Sequence, residues 1–451
     1  MVYIHGGGFV MGTGTTQLSS PVPIVALGDV IVVIINYRTN VFGFFSTGDD
    51  VVKGNAGLKD QVMALKWVQE NIESFGGDPN RVTLFGESAG GISTTYHLVS
   101  PMSRGLIRNV ILQSGSLLGG MQRGPETQDS QMKRAFALGR IVGCEQTKTN
   151  ELVECLQAVD FEILLANYTQ TIAETGEHPM TNPFSPNSDG EFLTDSAERL
   201  FENPSNIAQV SAMIGELADE GNVVFSMVYP TYIEEEPIVN QTDYDMILDM
   251  MMINQVPTEL ARQTLKLIYL TDQQISDPTL DRKDGINHLL GDLWFVCPDI
   301  KTSKYMVSEG NDVYAYHWTH VPSTSLWGAT WFGATHAEDL TFVFGSHFNE
   351  HMSQLYNRFT KDEIKLTKDV ITYWTNFAKY GNPNSANDCL PDWPKFTVSE
   401  QAYKEIKIGF ANGRLLNPLA CEYINGIVPR IVAMEQRQDA QCDNTNSCDG
   451  I

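Results

Sequence analysis

The sequence predicts an α/β fold, a doubly wound and mostly parallel sheet with helices on both faces. Three observations predict it. The stretch Val30 to Asn36 (VIVVIIN) is an unbroken apolar, β-branched run, as a strand buried on both faces of a parallel sheet requires. A long segment follows with apolar residues at three-to-four spacing, the period of a helix. Beyond it strand-like and helix-like segments keep alternating, the order that places crossover helices between parallel strands.

The chain opens on Val2-Tyr3-Ile4, a short strand-like run leading into a glycine cluster, and Val30 to Asn36 is the next strand. From Leu58 to Phe75 the positions Leu58, Val62, Leu65, Val68, Ile72 and Phe75 lay one stripe along a helix, which Gly76-Gly77-Asp78-Pro79 stops. Arg81 to Phe85 (RVTLF) reads as a strand, and after a tight glycine turn the segment from Ser88 toward Val99 reads as a helix. Further strands are expected at Asn109 to Gln113, Gln209 to Ile214 and Asp312 to Trp318. Between Gly120 and Ser205 the chain is more helical and loop-like, with Leu152, Cys155, Leu156 and Val159 at helical spacing, and is expected to cover the edge of a pocket. Ile364 to Tyr380 is a late helix with Val370, Ile371, Trp374 and Phe377 on one side and Gly381-Asn382-Pro383 as its stop. With no internal repeat or low-complexity linker, residues 1–451 are expected to form one domain, with a flexible tail over 435–451.

Composition excludes some functions. A hydrophobic share of 42% and a charged share of 19% are ordinary for a globular protein, whereas the net charge of −25 argues against a nucleic-acid partner. No apolar run reaches the roughly 18 residues of a membrane-spanning helix. Met1 runs at once into the strand and the glycines, without the charged, apolar and cleavage regions of a secretory signal, so a missing N-terminal portion is expected.

The sharpest chemical signal is Gly86-Glu87-Ser88-Ala89-Gly90, a G-x-S-x-G between a strand and a helix. Flanking glycines let the chain turn where a Cβ would clash, leaving the serine hydroxyl at the carboxyl edge of the sheet beside a helix N-terminus. Upstream, His5-Gly6-Gly7-Gly8-Phe9 follows a strand and fits a glycine loop that offers backbone N–H groups to an oxyanion; His5 itself is expected to be structural. Together these predict the α/β-hydrolase version of the fold, with Ser88 as nucleophile.

A serine needs a histidine to take its proton and a carboxylate to orient that histidine. The fold's order of serine, acid, histidine directs attention to the later of the nine histidines. His336 lies in a glycine-bearing loop beyond the strand at 312–318, but His317, His320 and His347 remain possible on spacing. For the acid, Gly215-Glu216-Leu217-Ala218-Asp219-Glu220-Gly221 puts three carboxylates near the sheet edge, and pattern does not rank Glu216, Asp219 and Glu220.

With these pieces assembled, the chain resembles the type-B carboxylesterase and cholinesterase family over essentially its whole length. The likeness also rests on Asn36-Tyr37-Arg38, Gly54-Asn55-Ala56-Gly57-Leu58-Lys59-Asp60-Gln61, Phe75-Gly76-Gly77-Asp78-Pro79, Gln113-Ser114-Gly115-Ser116 and WTNFAKYGNPN from Trp374 to Asn384. The wording, with Ser46-Thr47-Gly48-Asp49, looks most like insect or other arthropod esterases. The resemblance implies a triad of Ser88, Glu220 and His336, with oxyanion donors at the backbone N–H groups of Gly7, Gly8 and Ala89. It also implies supporting roles near the triad for Glu87 and Ser114, and a structural ion pair between Arg38 and Asp60. Gly119, Gly120 and Met121 fall where the family builds its acyl pocket. The implied chemistry is two-step acyl transfer on a small-molecule ester, with no metal or organic cofactor. A catalytically silent adhesion or scaffold relative is the alternative, and a juvenile-hormone-type esterase is the alternative among enzymes.

Seven cysteines fit a secreted relative, and the family's disulfide positions match Cys144 with Cys155 and Cys297 with Cys421. Cys442 and Cys448 could close a tail loop, leaving Cys389 odd. Asn167-Tyr168-Thr169 and Asn240-Gln241-Thr242 are glycosylation sequons. Relative to its family the chain starts late, so exposed sheet edge and apolar surface are expected to make the polypeptide as written aggregate.

Overall fold

A computed structural model describes residues 1–15, 19–119, 127–227, 231, 235–252, 256, 258–349, 352, 358–385 and 389–435. Its frame is one sheet of eight strands: β1 (Val2–Ile4), β2 (Val33–Ile34), β3 (Thr83–Glu87), β4 (Asn109–Gln113), β5 (Ser211–Leu217), β6 (Val313–Trp318), β7 (Ala402–Ile406) and β8 (Ala411–Arg414), in the spatial order β2-β1-β3-β4-β5-β6-β7-β8. The first seven are parallel to their neighbours and β8 runs antiparallel to β7. This mostly parallel sheet with covering helices is the α/β-hydrolase type of fold.

The side-chain period of two sorts the strands onto two faces. Val2, Ile4, Leu84, Val110, Leu112, Ala212 and Ile214 join one buried cluster with Leu58, Val62, Leu65 and Val68 of helix Ala56–Asn71. Tyr3, Phe85, Ile111, Met213 and Tyr316 face the other way, onto Val370, Ile371, Trp374 and Phe377 of helix Lys361–Tyr380. A third cluster sits among helices Gln241–Met252, Glu259–Tyr269, Lys283–Gly291 and the residues around Cys421.

Several sequence boundaries move, each for a local reason. The run Val30 to Asn36 forms only the two-residue β2, whose residues are half-buried. The expectation of a strand buried on both faces fails because β2 is the outermost strand and, among the described residues, pairs only with β1. The helix from Ala56 ends at Asn71 and tightens into a 3₁₀ turn, Ile72–Phe75, which turns Phe75 outward to 64% exposure, so Phe75 is not part of the buried stripe. Arg81 is not in a strand: Asp78 accepts from the Asn80 N–H (2.9 Å) and from Arg81 Nε (2.7 Å), winding Pro79–Arg81 into a turn, and β3 starts at Thr83. The strand expected over 209–214 is β5, shifted to Ser211–Leu217. The late helix begins at Lys361 because Thr360 and Glu363 cap each other's backbone N–H, and it ends on left-handed Gly381 (φ 67°).

Both disulfides implied by the resemblance are formed, Cys144–Cys155 and Cys297–Cys421. The second closes a separation of 124 residues, which by loop entropy contributes about 5 kcal/mol to stability. Cys389 is exposed and makes no disulfide among the described residues; Cys442, Cys448 and the tail at 436–451 lie outside them.

Beside β2 a groove is lined by Val25, Val30, Ile31, Val33, Phe75 and Tyr380. Edge backbone next to exposed apolar side chains is a template for pairing with another chain. The polypeptide is therefore expected to self-associate in light scattering, and a monodisperse monomer that unfolds cooperatively would contradict this.

Candidate active site

The site is built where β3, β4 and β5 end. Ser88 stands between β3 and helix Ala89–Val99 with φ 56° and ψ −125°, a conformation that costs a non-glycine residue on the order of 1–3 kcal/mol. Its neighbours explain how the turn exists at all. A Cβ on Gly86 would lie 2.4 Å from the carbonyl carbon of Gly90, and one on Gly90 would lie 2.1 Å from Ile4 O. The Ser88 N–H donates to Gln113 O on β4 at 2.9 Å, which fixes the bend to the sheet.

The opening glycines lie against this turn. A Cβ on Gly6 would sit 2.8 Å from Glu87 O and 3.1 Å from Ser88 Cβ, so the loop approaches the serine as closely as backbone can. Gly7 and Gly8 both have positive φ, 108° and 61°, and a Cβ on Gly7 would meet Met11 O at 2.3 Å. The His5 ring stacks on Tyr37 with centroids 4.4 Å apart, and the Tyr37 hydroxyl donates to His5 O at 3.0 Å. His5 thus holds the loop, as its structural reading expects. Ala89, fully buried, opens the helix directly after Ser88.

The acid and the histidine arrive from two later strand ends. Glu220 begins helix Glu220–Ser226 just beyond β5 and is fully buried. Its Oε1 accepts the Leu217 N–H (2.9 Å), and its Oε2 is 2.6 Å from His336 Nδ1. The loop bearing His336 is tied to the same strand end, because Asp219 Oδ2 accepts the Ala334 N–H (2.8 Å) and the Asp219 N–H donates to Ala334 O (2.9 Å). Trp327 Nε1 donates to His336 O (2.8 Å), and the Phe295 ring packs 4.8 Å from the imidazole. His336 Nε2, the nitrogen left over, is 3.1 Å from Glu87 Oε1. Among the described residues no hydrogen bond joins it to the Ser88 hydroxyl. Of the other carboxylate and histidines that spacing allows, Glu216 faces His317 (3.2 Å), His320 faces Glu363 (3.3 Å), and His347 lies against Phe348 with ring centroids 3.8 Å apart.

Residues 1–423 match the model of the Carboxylesterase family. The chain belongs to the carboxylesterase family. It is 30% identical over 441 residues to the acetylcholinesterase of Bungarus fasciatus, spanning 96% of this chain and 70% of that protein. Family and relative place the chain among the serine carboxylic-ester hydrolases.

The electrostatics of this carboxylesterase site follow from burial. Desolvation pushes the Glu87 carboxyl up to about 8, with the nearby Asp339 and Glu220 adding to the rise and His336 opposing it. Desolvation disfavours the charged form of His336, but the carboxylates of Glu87 and Glu220 outweigh it and lift the ring to about 9.

The remaining family positions are arranged as follows. Arg38 and Asp60 make a forked pair, Nε to Oδ2 at 2.8 Å and Nη2 to Oδ1 at 2.7 Å, reinforced by the Arg38 N–H. Ser114 is buried with φ 48°, and its N–H donates to Gly215 O at 2.8 Å. Gly119 is packed against Trp294 O, which a Cβ would approach to 2.4 Å, while Gly120 and Met121 lie outside the described residues. Sequence reading missed Asp219 as the anchor of the histidine loop and Asp339 as the buried acid behind it. Asp219 stands one residue from Glu220 and Asp339 three from His336 in the chain, the signal that could have singled them out.

Proposed function

We propose that the chain hydrolyses carboxylic esters through Ser88, His336 and Glu220 with an acyl-enzyme intermediate. The observation that carries this is the 2.6 Å contact of His336 Nδ1 with Glu220 Oε2, at the same sheet edge as the strained Ser88. In this reading neutral His336 takes the Ser88 proton through Nε2 as Oγ attacks the ester carbonyl. The Glu220 carboxylate holds the tautomer and stabilises the imidazolium that forms. The N–H groups of Gly7, Gly8 and Ala89 receive the developing oxyanion, where one donor is worth roughly 10²- to 10³-fold in rate. The imidazolium then protonates the departing alcohol, and water, activated by the same ring, releases the acid and restores Ser88.

Short-chain aryl esters test the reaction class, with choline esters in the panel because a relative carries that activity in its name. Turnover together with one covalent organophosphate on Ser88, mapped by peptide mass, is the expected result. Well-folded protein with neither turnover nor label would instead favour a silent adhesion or scaffold role.

We further propose an extracellular setting, supported by the two disulfides. Of the two sequons, Asn240 is exposed, its Oδ1 accepting the N–H groups of Thr242 (2.8 Å) and Asp243 (3.2 Å), while its amide nitrogen makes no hydrogen bond among the described residues. Asn167 instead donates to Ile163 O (2.7 Å) and accepts from Gln170 (2.8 Å). Protein secreted from eukaryotic cells is expected to carry glycan at Asn240 and none at Asn167. Glycopeptide mapping that found only Asn167 occupied would reverse that assignment.

A further inference from the structure

One residue touches both halves of the site without belonging to the triad. Gln113 is the last residue of β4, pairs in register with Glu87 and is fully buried. Its backbone oxygen accepts the Ser88 N–H at 2.9 Å, on the nucleophile side. Its side chain reaches the opposite way: Nε2 donates to Asp339 Oδ2 at 2.7 Å, and Oε1 lies 3.5 Å from Trp374 Nε1. Asp339 is three residues beyond His336, is fully buried, and precedes the short helix Leu340–Val343, whose residue Val343 donates its N–H back to Asp339 O at 2.9 Å. The loop carrying the imidazole is thus fastened at one end by Asp219 and at the other by Asp339.

We propose that Gln113 is a positioning residue, a strut whose two ends hold the Ser88 turn and the His336 loop at one fixed separation. This deepens the hydrolase reading and rests on it. The physical case is that the two segments come from strand ends 248 residues apart in the chain, so their relative placement is not set locally. A buried charge-assisted hydrogen bond from an amide is directional and stiff, and it also supplies Asp339 Oδ2 with a donor that an apolar neighbour would not. Burial pushes the Asp339 carboxyl up to about 6, and the Gln113 bond pulls against that rise. Because the strut acts on geometry, its loss falls on kcat: a displacement of about 1 Å between reacting groups can cost roughly 10²-fold.

The test compares wild type with Gln113→Leu and with the reciprocal pair Gln113→Glu/Asp339→Asn. Leucine keeps the volume and the Ser88 contact to the backbone but removes the donor. Its expected result is a kcat roughly 10²-fold lower with KM nearly unchanged, and slower organophosphate labelling of Ser88. The reciprocal pair exchanges amide and carboxylate across the same contact, so it is expected to stay within about threefold of wild-type kcat. Full activity in Gln113→Leu would overturn the strut, as would a folded reciprocal pair with Gln113→Leu-like loss. If Gln113→Leu does not fold, the reciprocal pair alone decides. A wild-type protein that neither turns over esters nor takes label overturns the hydrolase reading, and this inference with it.

Discussion

Ser88→Ala is expected to lower kcat by about 10⁶-fold and to abolish covalent labelling by an organophosphate, with little change in Tm. The loss is large because no other group can take over the attack; the residual rate comes from binding and from the glycine loop. Stability is expected to hold for two reasons. Among the described residues the Ser88 hydroxyl makes no hydrogen bond, and alanine at φ 56° bears the same backbone strain as serine. A variant that still turns over esters, or still takes label at another residue, would move the nucleophile elsewhere.

Glu220→Gln is the second large effect, a fall in kcat of about 10⁴-fold. The amide can present an N–H to His336 Nδ1, which favours the tautomer whose Nε2 carries the proton and so cannot accept the one from Ser88. The pH profile provides a separate reading. The base is the neutral ring, so kcat/KM rises as pH passes upward through the ring's pKa. Desolvation lowers that pKa, and the charge of Glu87 together with the charge and hydrogen bond of Glu220 lifts it. Removing the charge lowers the pKa, and the acid limb is expected to move to lower pH. An acid limb that stays in place, together with unchanged turnover, would show that Glu220 does not orient the base.

The central strands were legible because each had a local cause. Asn109 to Gln113 carries the apolar run Val110-Ile111-Leu112, buried on both faces between parallel partners, and its sequence bounds agree with those of β4. The outer elements were not, since the same β-branched run at 30–36 reads as central whether or not a neighbour covers it; position in the sheet is a property of the whole chain. Strands β7 and β8 escaped notice although Ala402–Ile406 alternates buried and half-buried residues. Their pattern is short and carries Lys404 inward, where its ammonium donates to Pro391 O and Asp392 O. In the site, Gly86 and Gly90 announce the bend because only glycine fits there. The pairing of Glu220 with His336 could not be read from spacing, because three adjacent carboxylates and several histidines satisfy the same order. Family resemblance selected them, and the 2.6 Å contact is the geometry consistent with that selection.

The proposed triad draws Ser88, Glu220 and His336 from the ends of separate strands, the first and last 248 positions apart. During synthesis, Ser88 and the glycine loop leave the ribosome long before Glu220 and His336. A nascent chain halted short of His336 carries a serine at its ordinary, weak reactivity. On the proposed mechanism, ester cleavage therefore begins only once the sheet has closed around its later strands.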